Sequence, residues 1–159
     1  MQFAELFGGM PPPAHIRRHK VKLANNARLL AAIESIRAFV PPSQLEVMVQ
    51  GCSGEESGFF ETAIYDLNNT IIAMPITYDQ ENLGDQAVVH LHYFINGADW
   101  HITEQDANGG GTQQAFGLAN LGYGAELGYI SIDELCSIPG MQLDLHWEPI
   151  TLEAVKAGA

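Results

Sequence analysis

The sequence predicts an α+β fold, N-terminal helices packed on a predominantly antiparallel four- to five-stranded sheet. Apolar residues repeat at helical spacing up to Ala73, alternate with a period of two from Ala87, and are separated by Gly- and Asn-rich turns thereafter. At 159 residues one such domain buries roughly two thirds of the surface its unfolded chain exposes, so a core forms without disulfides. Residues 25–159 are expected to make that single α+β domain. Residues 1–24 are expected as an irregular basic segment, because Pro11, Pro12 and Pro13 remove N–H donors and restrict the residues before them.

Asn25 or Asn26 is placed to cap a helix running to about Phe39, with Leu29, Ile33, Ile36 and Val40 on one face, and Pro41 and Pro42 stop it. Ser43 to Gln50 fits two readings, a helix opened by the Ser43/Glu46 capping box or a short strand over Glu46–Gln50. Phe59, Ala63, Leu67, Ile71 and Met74 then mark a second long helix, from about Glu55 to Ala73, ended by Pro75. From Ala87 the chain alternates, and Asn96-Gly97 predicts a type I′ hairpin turn with a returning strand from Ala98 to Thr103. Gln114–Ala119 and Glu126–Ser131 read as further strands. Ser131 and Glu134 have capping-box spacing for a short helix through Cys136, and Gln142–Trp147 reads as the last strand before a frayed C-terminal turn.

Charge is segregated along the chain. The first 37 residues hold Arg17, Arg18, Lys20, Lys22, Arg28 and Arg37 against Glu5 and Glu34, whereas Ala38 to Val155 contain 17 acidic residues and no Lys or Arg, for a formal net charge of −12 overall. The carboxylates of the long segment lack internal cations, so most must stay solvated. The resulting field repels nucleic-acid phosphates and attracts basic partners or divalent cations. Direct nucleic-acid binding is therefore expected only through the basic N-terminal segment, for which an internal contact with the acidic body is the preferred reading. The opening residues show no basic region followed by an apolar run, no stretch is long and apolar enough for a membrane span, and Cys52 and Cys136 belong to no CxxC pair. These features lead to the expectation of a cytoplasmic protein with free thiols and no membrane association.

The hairpin carries the strongest site candidate. With Asn96-Gly97 at the turn, Phe94 faces Asp99, Tyr93 faces Trp100, His92 faces His101 and His90 faces Thr103. One sheet face then holds His90, His92, Phe94, Asp99, His101 and Thr103, while Val89, Leu91, Tyr93, Ile95, Trp100 and Ile102 form the core face. His90, His92, His101 and Asp99 are the candidate metal ligands, since imidazoles opposed across a strand pair with a nearby carboxylate have the donors that zinc or iron takes. A water activated by such a metal, with Asp99 or Glu104 moving a proton, would be the chemistry. Ordinary histidines on a partly solvated face explain the same pattern. The Asp106-Ala-Asn-Gly-Gly-Gly111 segment lacks the spacing of an EF-hand loop, and no phosphate-cradling glycine motif is present.

Tyr93-Phe94, Trp100-His-Ile-Thr-Glu104, Phe116-Gly117, Glu126-Leu-Gly-Tyr-Ile-Ser-Ile-Asp-Glu-Leu135 and Leu143-Asp-Leu-His-Trp-Glu-Pro149 together resemble the uncharacterised DUF2958 family over roughly residues 91–149. Many relatives carry an Arg-Asp pair entering the last strand, where this chain has Leu143-Asp144. The resemblance implies a protein of bacteria, phages and mobile elements, and supplies no catalytic residues. The leading expectation is a nonenzymatic acidic accessory protein of a bacterial mobile element, needing no cofactor, that binds a basic protein surface as a DNA mimic or antidefence factor. The alternatives are a metal-assisted hydrolase or nuclease using the histidine face, and a structural protein that assembles as a homodimer.

Overall fold

The computed structural model describes residues 14–158, with side chains from Asn25 onward. Helix α1 spans Ala14–Ile36, beginning well before the Asn25 cap position, so 14–24 continue the helix toward the N-terminus. The side chains of Arg17, Arg18, Lys20 and Lys22, and with them the expected contact of the basic segment with the acidic body, lie outside the described residues. A 3₁₀ turn over Arg37–Phe39 follows, then α2 over Pro42–Gly51, which decides the ambiguous segment in favour of helix. Proline in the first turn costs nothing there, because its missing N–H has no intrahelical partner. Helix α3 spans Ser57–Ala73.

Strands β1 (Val88–Val89), β2 (Leu91–Ile95), β3 (Ala98–Glu104), β4 (Ala115–Asn120) and β5 (Ala125–Ile130) follow, then α4 (Ile132–Ser137), β6 (Gln142–Leu143), β7 (Ile150–Thr151) and α5 (Leu152–Lys156). The main sheet is antiparallel in the order β5-β4-β3-β2-β6, and β1 pairs with β7 in a separate two-stranded sheet. The hairpin has the expected register, with His92 opposite His101 and Phe94 opposite Asp99. Asn96 and Gly97 both adopt positive φ, 45° and 81°, the signature of the type I′ turn. Ser131 Oγ accepts from the Glu134 N–H at 3.2 Å, so the predicted cap of α4 forms.

Each face of the main sheet is covered differently. Leu91, Tyr93, Ile102, Ala115, Ile130 and Leu143 face the helical layer and join Ile33, Ile36, Met48, Ile64 and Ile71 in the principal core. Tyr93 is fully buried there and donates to the Phe39 carbonyl at 2.6 Å, which keeps its hydroxyl satisfied. The opposite face is covered only in part, by the segment before β2 and by the C-terminal residues, around a small cluster of Ala87, Val89, Leu118 and Leu152 with Trp147 and Val155. That second face carries the site.

The last predicted strand is much shorter than the alternation suggests. Asp144 Oδ1 accepts from the His146 N–H at 2.9 Å and its carbonyl from the Trp147 N–H at 3.3 Å. This Asx turn gives the backbone a local alternative to the ladder and ends β6 at Leu143. Among the described residues no helix is long and apolar enough to cross a membrane.

Candidate metal centre

Cross-strand pairing sets the second face out in rows. Phe94, Asp99, Asn120 and Ala125 form one row, and His92, His101, Leu118 and Leu127 the next. Because paired residues on one face stand close together, His92, His101 and the diagonal Asp99 converge without any loop to position them. One ligand atom from each of His92, Asp99 and His101 lies within 4.8 Å of the other two. The cluster could coordinate a divalent metal ion.

His92 is the hub. Its Nε2 meets Asp99 Oδ1 at 2.6 Å and its Nδ1 meets Asp144 Oδ2 at 3.1 Å. Asp144 reaches this position because its main-chain N–H donates to the His92 carbonyl at 2.9 Å, extending the β2–β6 pairing by one residue. A carboxylate on the far nitrogen of a ligating histidine fixes the ring's tautomer and orientation and strengthens it as a donor. The His92 and His101 rings stack at 4.6 Å with 11° between their planes, and Trp147 lies 5.0 Å from one and 5.4 Å from the other. Trp147 is held by its indole N–H donating to the Val89 carbonyl at 3.1 Å.

His101 has the opposite electrostatics. Burial, then the neighbouring His92, push its pKa down to about 4, against a smaller pull upward from Asp99. It is therefore a neutral imidazole with a free lone pair at neutral pH, the form that binds metals. Its Nδ1 is buried and has no hydrogen-bond partner among the described residues. Such an orphaned polar atom costs free energy unless something else occupies it.

His90 stands apart. The chain passes from the small sheet to the main sheet at this residue, between β1 and β2. His90 lines a separate hollow with Asp66, Thr70, Asp144 and Trp147, and burial lowers its pKa. Alternation alone puts His90 beside His92, but alternation assumes one continuous strand. Asp144 and Trp147 are the contributors that alternation does not reveal. The only sequence signal for Asp144 was its place in the Leu143-Asp144 step. Glu104, weighed as a proton-moving group, opens instead into a separate cavity with Phe116 and Leu152.

The cluster lines a cleft of about 410 Å³ together with Asn120, Trp147 and Lys156. Lys156 is the only Lys or Arg after Arg37 in the chain, and its Nζ pairs with Asp85 at 2.6 Å. Two other polar features are absorbed by the fold. Asp106 accepts from the Asn108 and Gln114 N–H groups and so staples its own loop. Cys52 donates to the Met48 carbonyl, and burial followed by Glu61 raises its thiol pKa, which disfavours the nucleophilic thiolate.

A family model described as a protein of unknown function (DUF2958) matches residues 66–149. The match begins within α3, earlier than the resemblance read from motifs, and contains His92, Asp99, His101, Asp144 and Trp147. No curated protein and no solved structure matches the chain.

Proposed function

This chain belongs to the DUF2958 family, and we propose that it is a metal-assisted hydrolase whose divalent ion, zinc or iron, is held by His92, Asp99 and His101. The convergence of those three ligand atoms within 4.8 Å carries the reading. Two imidazoles and one carboxylate leave coordination positions open for water and substrate, as catalytic rather than structural sites require. A bound ion would supply a water acidified toward neutral pH.

The chain's own residues do the remaining tasks. Asp144 orients His92, and Trp147 shields both rings from solvent. An imidazole donates in its own plane, so two stacked rings cannot both point at one ion. A bound ion would be held by His92, Asp99 and His101 only if one ring left the stack, with the Nδ1–Asp144 contact available to keep His92 oriented.

Elemental analysis of protein purified from zinc- or iron-supplemented cultures tests the site. One equivalent of metal is expected in the unaltered chain, falling below about one tenth of that in His92→Ala and Asp99→Asn. Metal-free protein from supplemented cultures, or full occupancy in both variants, rules the reading out.

The 17 acidic residues between Ala38 and Val155, without a Lys or Arg, favour a second reading as a nonenzymatic acidic accessory protein. In that reading it binds a basic protein surface, acting as a DNA mimic or antidefence factor in the cytoplasm of a host carrying a mobile element. A partner held by such mimicry is displaced by duplex DNA, because both present rows of negative charge to the same site. Retention of partners that duplex DNA leaves in place contradicts it.

A further inference from the structure

The register of β3 against β4 breaks once. Ile102 pairs with Gly117 and Glu104 with Phe116, leaving Thr103 as an extra residue. A bulge of this kind re-aims the side chains beyond it. Glu104, which strict alternation would send to the core face with Ile102, is delivered to the second face in a row with Phe116 and Tyr129. There it is 3% exposed and lines a cavity of about 250 Å³ with Thr103, Phe116, Leu127, Leu152 and Tyr78.

Among the described residues this carboxyl has no countercharge. It accepts from the Thr103 hydroxyl and from the Gln80 main-chain N–H, while burial, and to a smaller extent Asp79, raise its pKa. Glu81 also lines the cavity, and no basic side chain does. Lys156, the only Lys or Arg after Arg37 in the chain, is committed to Asp85. A buried carboxyl finds a paired cation or stays protonated, and a cationic ligand entering the cavity would supply the pair that no described side chain provides.

The walls indicate what carries that charge. Phe116, Leu127 and Leu152 are apolar, and Tyr129 packs edge-on against Phe116 at 5.7 Å. The Tyr78 hydroxyl meets that of Tyr129. Tyr78 holds a φ of 79°, a left-handed conformation that is strained for an aromatic residue and recurs at ligand sites. Aromatic faces beside a carboxylate attract organic cations. We propose that this cavity, separate from the histidine cluster, binds a protonated amine, its ammonium against Glu104 and its apolar portion against Phe116, Leu127 and Leu152. The volume falls just below the usual range for drug-sized ligands, so a single short alkyl or aryl group fits. A free amine and the side chain of a partner's lysine share this chemistry.

Isothermal titration of the full chain at pH 7 with hexylamine, 1-hexanol and Nα-acetyl-lysine N-methylamide tests the assignment. Hexylamine is expected to bind at least about tenfold more tightly than hexanol, a difference of about 1.4 kcal/mol. Glu104→Gln, confirmed folded by circular dichroism, is expected to abolish that preference while leaving hexanol binding unchanged, and Asp99→Asn to preserve it. A lysine analogue that matches or exceeds hexylamine assigns the site to a protein side chain, and a weaker one assigns it to a free amine. Equal binding of hexylamine and hexanol, no binding of either, or an undiminished preference in Glu104→Gln overturns the proposal. Should Glu104→Gln not fold, the amine and alcohol comparison on the unaltered chain decides it.

Discussion

Glutamine takes over bridging roles in a region without Lys or Arg. Gln44 donates to the Leu143 carbonyl and accepts from the Leu143 N–H, both at 2.8 Å, acting as a partner for the edge strand β6. Gln80 accepts from the Val88 N–H and donates to the Val88 and Thr103 carbonyls, tying β1 to β3. Gln105 donates to the carbonyls of Ile71 and Met74 at the end of α3. Neutral amides satisfy these main-chain groups with no charge to desolvate. Gln44→Ala is expected to lower stability by about 1–3 kcal/mol, read from urea unfolding, because two partly buried groups lose their partner together. Glu104 shows the reverse case. Its folded pKa is raised above the ordinary value, so its contribution is fully favourable below about pH 4.5 and is lost as pH rises through the folded value. Glu104→Gln is therefore expected to have a higher urea midpoint than the unaltered chain at pH 7, with the gap closing toward pH 4. A lower midpoint at pH 7 would show that the hydrogen bonds from Thr103 and Gln80 outweigh burial.

The hairpin positions the histidine cluster, and β4 keeps it there. Gly117 lies directly across from Ile102, and a Cβ at Gly117 would fall on the His101 carbonyl oxygen and within 2.9 Å of the Ile102 Cα. Since both neighbours are backbone, neither can swing aside. Gly117→Ala is expected to cost at least about 2 kcal/mol in chemical unfolding and to weaken metal binding with it, because β3 must shift away from β4 at His101. Unchanged stability would mean that the strands approach less closely than described. How much of this was legible in the sequence follows from the same local rules. The His92–His101 and Phe94–Asp99 pairs were readable because Asn96-Gly97 dictates a two-residue turn, and the turn dictates register. The short strand β6 was not, because the Asx turn at Asp144 competes with an alternating pattern that looks like a longer strand. The change of sheet at His90 and the bulge at Thr103 leave no local mark, since both arise from which strand lies alongside. These two events decide that His90 leaves the cluster and that Glu104 enters a cavity of its own.

At the scale of the molecule, one sheet face supports a helical core and the other supports two hollows separated by the Leu118–Leu152 cluster. The C-terminal segment covering that second face is tied down by Lys156 to Asp85 and by the Gln86 amide to Glu153, all exposed contacts. Each such contact contributes less than about 1 kcal/mol, so the cover is held chiefly by the β1–β7 pairing, the buried Leu152 and the Trp147–Val89 hydrogen bond. The net charge of −12 also makes the compact state repel itself. Added salt screens that repulsion, and the thermal midpoint is expected to rise between 10 mM and 0.5 M NaCl. A midpoint that falls over this range would mean that attractive pairs dominate instead. The central claim is that two histidines and an aspartate on adjacent strands form a metal centre. Diffraction at the zinc absorption edge, from crystals grown with zinc, tests it most directly. The account predicts an anomalous peak about 2.0–2.2 Å from one nitrogen of His92, one nitrogen of His101 and a carboxylate oxygen of Asp99, with the two rings no longer stacked. A map with no peak there, or with the rings still stacked beneath Trp147, would contradict it.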